Sequence, residues 1–277
     1  MQGGTVRGLL EMARPTNAIA AGILTFIGAY VAGGIPDAAL AASLAVSATI
    51  LATAAGNGIN DYFDRDIDRI NQPNRPIPRG AVAPRTALFA SSGAFVAAIG
   101  LVLLLPWMAI AIALINLILL VSYTSVFKGT PGAGNVVVSF LVGSTFLFGA
   151  AAVGDIGPTT ILFLLAAVST FAREVIKDVE DVPGDRNHGL RTLPVTIGIR
   201  RSLWVAAVAM ALAILASPVP FIIGDFGAAY LIVVFPAVAV MALGSATAFR
   251  NPTRGQQLIK AGMFLAAIAF IVGRAAL

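Results

Sequence analysis

The chain has 277 residues, 58% of them hydrophobic and 11% charged, with a mean hydropathy of +0.91. Soluble domains carry about 25% charged residues, so a water-soluble globule, which needs polar surface to cover its core, is excluded. The absence of cysteine excludes a disulfide, a thiolate nucleophile or a cysteine metal site, and the net charge of +5 reads as membrane-side loops, with no dense Lys/Arg run to suggest nucleic acid as a partner.

A spanning helix needs about 20 mostly apolar residues. Nine such runs are expected, near 16–34, 38–60, 85–105, 107–127, 134–153, 158–178, 201–221, 227–248 and 257–276. The first follows Arg7 and Arg14, and Arg14-Pro15-Thr16-Asn17 stands hard against it, which marks a retained helix rather than a cleaved signal peptide. Thr86 to Phe127 carries no charge and is too long for one span; Pro106 marks its turn, because proline cannot continue a helix ladder. Pro84, Pro158 and Asn251-Pro252 punctuate other boundaries. No loop is large enough for a soluble domain, so residues 1–277 read as a single all-α transmembrane domain.

With the N-terminus inside, the inside segments and adjoining helix ends hold 17 of the 18 Lys and Arg residues, leaving only Arg274. The outside loops hold Asp37, Asp155 and Asp225. The positive-inside rule therefore predicts a multi-pass protein of the cell membrane with a cytoplasmic N-terminus.

The second run ends in Asn57-Gly-Ile-Asn-Asp-Tyr-Phe-Asp-Arg-Asp-Ile-Asp68, with Asp61, Asp64 and Asp68 at i, i+3 and i+7, one face of a helix. The sixth run ends with the same spacing at Asp178, Asp181 and Asp185. Both triplets fall on the cytoplasmic side and suggest a degenerate internal duplication. Like charges about 4 Å apart repel by roughly 4 kcal/mol per pair at an effective dielectric near 20. Six converging carboxylates therefore need protons or cations. Oxygen-only ligands favour Mg²⁺ over Zn²⁺, and Mg²⁺ usually shares its shell with waters and substrate phosphates. The expectation is a metal-bridged phosphate or diphosphate site, with all six Asp as ligands, some through water.

Basic residues stand close by. Lys128 follows the fourth run, Arg173 and Lys177 precede the second triplet, and Arg69, Arg75 and Arg79 follow the first. Charges such as Lys128 and Arg173, beside or inside spans, are costly in lipid and point to phosphate contacts. Asn57 extends the first motif's polar face by one turn, while Asn60, beside Asp61, points elsewhere. Asn17 reads either as a substrate contact or as a helix N-cap, and Asn135 as a site or packing residue. The lone His188 reads as an exposed loop residue. Phe146, Phe148 and Phe171 read as core or lipid contacts, with shielding of a carbocation the functional alternative.

These residues resemble the UbiA-type intramembrane prenyltransferases. Asn60, Asp61, Asp64 and Asp68 match the family's N-D-x2-D-x3-D, and Asp178, Asp181 and Asp185 match its D-x2-D-x3-D. Tyr123 and Lys128 match its Tyr…Lys signature. The resemblance implies a bundle of nine transmembrane helices around a central cavity open to the cytoplasmic side. It also implies Mg²⁺-dependent transfer of an isoprenyl group from its diphosphate.

Stretches 60–78, 143–154, 173–185 and 217–220 are similar to those family members that prenylate a lipid phosphate. The acceptor implied is the free hydroxyl of geranylgeranylglyceryl phosphate, the donor geranylgeranyl diphosphate, and the product the second ether bond of archaeal membrane lipid. On this reading Lys128 and Arg173 clamp phosphate, Tyr123, Asn57, Asn60 and Lys177 contact substrate, and Arg14 and Asn17 meet the acceptor's phosphoglycerol end. Two rivals differ in what they require. An aromatic-acid prenyltransferase of quinone biosynthesis shares the donor site and changes the acceptor. A cation-coupled transporter would place its acids near mid-span, not at span ends on one side.

Overall fold

In lipid, backbone polar groups must be satisfied within the chain, which leaves apolar runs the choice of helix or closed barrel. The computed structural model describes residues 2–33, 35–127, 129–187 and 189–277, and their regular structure is helical. In order the helices are α1 (Gln2–Ala13), α2 (Pro15–Val31), α3 (Ile35–Phe63), α4 (Arg65–Asn71), α5 (Pro84–Val102), α6 (Trp107–Ser122) and α7 (Ala133–Val153), followed by α8 (Thr160–Asn187), α9 (Leu193–Ile197), α10 (Ile199–Ala216), α11 (Val219–Ile222), α12 (Ala229–Ala248) and α13 (Pro252–Ala275). A π-helical turn, Tyr123–Phe127, closes α6.

Among the described residues, seven segments are long and apolar enough to cross a membrane; they contain α3, α5, α7, α8, α10, α12 and α13. Helices α2 and α6 are apolar and shorter. Large apolar side chains face outward, among them Leu40, Phe89, Trp107, Leu215 and Ile232, each more than 70% exposed. On a soluble protein such a surface would aggregate; in a bilayer it is the wetted face. The chain is a multi-pass membrane protein.

Several boundaries carry their physical cause in the sequence. Pro15, Pro84 and Pro252 start α2, α5 and α13, where their missing N–H costs nothing. Asn251 caps α13 by accepting from the Arg254 amide at 2.9 Å. That cap starts α13 five residues before the expected 257. Helix α3 is non-helical at Ala38, which matches the expected start. Helix α8 runs nine residues past its expected end at 178, where buried Val179 and Val182 carry its apolar face onward and packing overrides weak local propensity. It passes through Pro183. Helix α1 was not foreseen from the pattern; it packs Leu9 and Met12 against Tyr62, Ile77, Val82 and Ala87.

The helices close into a ring. Each long apolar helix, α2 and α6 included, packs on the next in sequence, and α13 returns to α2. Cross-contacts α2–α7, α3–α7 and α8–α13 draw the ring together. The α2–α7 contact depends on two glycines. A Cβ at Gly28 would strike the Phe146 carbonyl, and one at Gly149 the Thr25 carbonyl, so the backbones touch as small residues allow in membranes. Beneath them Phe146, Phe226, Tyr230 and Phe270 form an aromatic core. The Tyr230 hydroxyl donates to the Ser217 carbonyl at 2.7 Å.

Candidate active site

The two acidic motifs, alike in sequence, are built differently. The second lies on one helix: Asp178, Asp181 and Asp185 are all in α8. The first, expected on one helix face, is broken. Helix α3 ends at Phe63, α4 starts at Arg65, and Asp64 between them has φ −83° and ψ 0°. Asp61 therefore ends α3 while Asp68 sits in α4.

The break lets basic side chains reach both carboxylates. Arg75 Nη1 lies 2.6 Å from Asp68 Oδ2 and 3.3 Å from Asp61 Oδ1. Arg14 Nη2 lies 2.6 Å from Asp61 Oδ1. Asp61 and Asp68 are 3% and 5% exposed, and a buried carboxylate needs such a partner. Arg14, not Asn17, is the N-cap residue of α2, with φ 46°; this left-handed backbone aims its side chain at Asp61. Asn57 Nδ2 donates to the Ala13 carbonyl at 3.2 Å, fastening the same junction. Of the other basic residues after the motif, Arg79 pairs with Glu11 and Arg69 with Asp66.

At the second motif the partners are neutral donors. Asn135 Nδ2 donates to Asp178 Oδ2 at 2.8 Å, and Thr192 Oγ1 to Asp185 Oδ2 at 2.9 Å. Asp181 is exposed. Arg173 Nη1 pairs with Glu174 at 2.7 Å, Arg173 Nη2 donates to Gln256 Oε1 at 3.0 Å, and Lys177 stands 3.6 Å from Glu174.

Tyr123 feels the charge of both motifs. Its hydroxyl is within electrostatic reach of Asp64 from the first and of Asp178 and Asp185 from the second, with Glu174 nearer still in effect. It opens the π-helical turn, a distortion frequent at functional sites. Among the described residues no three acidic groups are close enough to enclose one ion. Mg²⁺ does not require that, since it usually takes one or two carboxylates with waters and phosphate oxygens. Half-buried, all-oxygen Asp178, held by a neutral amide, fits such a shell. Lys128 and His188 lie outside the described residues.

Below the motifs is a cavity of about 840 Å³, near the upper end of the roughly 300–1,000 Å³ typical of ligand sites. Its walls are apolar over most of their area, with Leu24, Phe95, Leu117, Leu141, Phe146 and Phe148 among them. Its polar residues include Asn17, Asn57, Asn60, Tyr123, Arg173, Glu174, Lys177 and Lys260. A phosphate-bearing head and an apolar tail match this division. Phe146 and Phe148 are buried core residues that also line the cavity, while half-buried Phe171 packs against the α8–α10 core.

The profile of the UbiA prenyltransferase family matches residues 21–268. The chain belongs to that family. Among curated relatives, the digeranylgeranylglyceryl phosphate synthase of Natronomonas pharaonis is 59% identical over 98% of both chains, and that of Methanopyrus kandleri 43% over 96% of this chain and 98% of its own. A solved digeranylgeranylglyceryl phosphate synthase structure covers all of both chains at TM-score 0.84 and 33% identity. A UbiA homolog from Archaeoglobus fulgidus bound to GPP and Mg²⁺ shares the fold, at TM-score 0.74 and 19% identity over 97% of this chain and 99% of its own.

Set in this prenyltransferase fold, Glu174, Thr192, Gln256 and Lys260 stand at the site, and sequence reasoning passed over them. Glu174 was legible as an acid one turn before Asp178. Gln256 and Lys260 were not, because their helix is far along the chain and only the α8–α13 contact brings them in.

Proposed function

We propose that this chain transfers the geranylgeranyl group of geranylgeranyl diphosphate to the free hydroxyl of geranylgeranylglyceryl phosphate, making the second ether bond of archaeal membrane lipid. The observation that carries the reading is the 59% identity, end to end, with a digeranylgeranylglyceryl phosphate synthase. We further propose that all nine apolar helices cross the membrane, that the N-terminus is cytoplasmic, and that the cavity opens on that side. The bias of 17 of 18 basic residues supports this orientation.

Asp61, Asp64, Asp68, Asp178, Asp181 and Asp185 would hold Mg²⁺, some through water. When bound, Mg²⁺ supplies positive charge to the diphosphate as it takes on the electrons of the breaking bond. Asn135 orients Asp178 for that contact. Lys128 would supply the diphosphate with positive charge, Lys177 would contact substrate from α8, and Tyr123, Asn57 and Asn60 would position the diphosphate between the motifs. Arg14 and Arg75 hold Asp61 and Asp68 in place.

In the transfer, the C1–oxygen bond to the diphosphate breaks and the acceptor oxygen bonds C1. The hydroxyl proton leaves to the departing diphosphate or to a motif carboxylate. The apolar cavity shields the allylic carbocation from water, which would otherwise capture it. Phe146 and Phe148 line that wall, and an aromatic ring face stabilises a nearby cation.

The test is incubation of membranes holding the protein with geranylgeranyl diphosphate, Mg²⁺ and either acceptor. Product from the lipid phosphate is expected; transfer to an aromatic acid alone overturns the assignment.

A further inference from the structure

Helix α8 turns charge toward two neighbours at once. Asp178 faces α7, where Asn135 holds it. Arg173 faces α13, where Gln256 holds it. Five residues at about 100° each rotate the two side chains by about 140° around the helix. The carboxylate flank and the arginine flank can therefore seat separate anions.

The arginine flank has donors with nothing to bond. Arg173 Nε is buried without a hydrogen-bond partner among the described residues, and so is Thr170 Oγ1. Thr170 lies one turn deeper on the same face and is 2% exposed. Buried, unmet polar groups cost free energy, so each calls for an explanation. Both residues line the cavity, and so does Lys260 of α13. Lys260 follows Gln256 by four residues and shares its face. Glu174 is adverse to an anion here, but Arg173 and Lys177 both pair with it.

We propose that Thr170, Arg173 and Lys260 form the headgroup subsite for the lipid-phosphate acceptor, apart from the diphosphate site. Arg173 and Lys260 hold the phosphate monoester, with Gln256 fixing the guanidinium plane. Thr170, about 4.5 Å deeper along α8, meets a glycerol oxygen. This seats the acceptor's glycerol at the top of the apolar cavity, across α8 from the carboxylates. Arg14, engaged with Asp61, is left to its structural task. The proposal rests on the acceptor being a lipid phosphate, as argued above.

Calorimetry on the purified full chain in detergent, without donor, tests it with two probes: geranylgeranylglyceryl phosphate and the same lipid lacking phosphate. The wild type should prefer the phosphorylated lipid by about tenfold or more, the worth of one charge-assisted contact. Lys260→Ala, at an exposed position, should cut that preference to roughly threefold or less, and Lys260→Arg should restore it. Thr170→Val should weaken both lipids by the same factor and leave the preference intact. Binding of geranylgeranyl diphosphate with Mg²⁺ should be unmoved in Lys260→Ala. A preference that survives Lys260→Ala, or an equal loss of donor affinity, overturns the proposal. A wild type that shows the preference yet transfers nothing to the lipid phosphate would overturn the proposed reaction and leave this subsite standing. A wild type without the preference overturns the subsite.

Discussion

Replacing Arg75 with methionine should destabilise the protein through the carboxylates it holds. Opposite unit charges 4 Å apart attract by about 4 kcal/mol at an effective dielectric near 20. Desolvation offsets much of that, and the Arg75 side chain keeps 32% of its surface exposed, which screens it further. Asp68 is the more vulnerable partner. Its side chain is 7% exposed, and Arg75 is its one ion-pair partner among the described residues. Asp61 retains Arg14 at 2.6 Å. Leaving a fully buried carboxylate unpaired costs about 3–5 kcal/mol, and water entering where one-third-exposed Arg75 stood lowers that. The expected loss is therefore about 1–3 kcal/mol, or roughly 2–10 °C in melting midpoint. Thermal melting in detergent of Arg75→Met, Asp68→Asn and the double variant would measure it. Removing the orphaned charge should bring the double variant back toward the wild type, with a coupling of about 1 kcal/mol or more. Added Mg²⁺ should raise the midpoint of Arg75→Met more than that of the wild type, because the released carboxylates accept a cation. An Arg75→Met midpoint within about 1 °C of the wild type would refute the reasoning, as would strictly additive losses in the double variant.

Gly149→Leu should lower the melting midpoint and the yield of folded protein, by about 1–3 kcal/mol or more, because its side chain meets the Thr25 carbonyl; Gly154→Leu, with open space beyond its Cβ, is an unsuitable control only because its backbone has φ 113°, so Gly100→Leu serves instead. Asp178→Asn should leave an extractable, folded protein and abolish turnover; near-normal rates with excess Mg²⁺ would remove Asp178 from the metal shell. EDTA should stop transfer and Mg²⁺ should restore it. The Arg79 hydrogen bond holds the Glu11 carboxyl below its ordinary 4.5. Because the folded value is the lower one, the stability it adds is present above pH 4.5 and is lost as pH falls through the folded value. The melting advantage of the wild type over Glu11→Gln should be present at about pH 7 and vanish at acid pH; an advantage that persists there would show that the contact works by packing.

Much of this molecule could be read from its letters, for identifiable reasons. Long apolar runs and proline punctuation located the helices because lipid leaves the backbone few options. Pro106 and Pro252 fell where a turn or a helix start was needed. The spacing of Asp178, Asp181 and Asp185 was a true guide, since α8 remains a helix beneath them. The same spacing misled at Asp61, Asp64 and Asp68. Periodicity reports the face a continuous helix would offer, and nothing in it records a break at Asp64. Arg14 was foreseen at the site but given the acceptor; its pairing with Asp61 depends on a left-handed backbone that only coordinates reveal. Gln256 and Lys260 were silent because a contact between α8 and α13 leaves no local pattern.

The repeated acidic signature has become a hinge at one address and a strut at the other. Copying one version into the other's place would transfer its letters and leave its shape behind. Two distant guanidinium groups, Arg14 and Arg75, attend the first copy, while Asn135 and Thr192 attend the second with neutral dipoles. Likeness of sequence between the two motifs is thus no description of their architecture, and substitutions made in parallel at them need not have parallel effects.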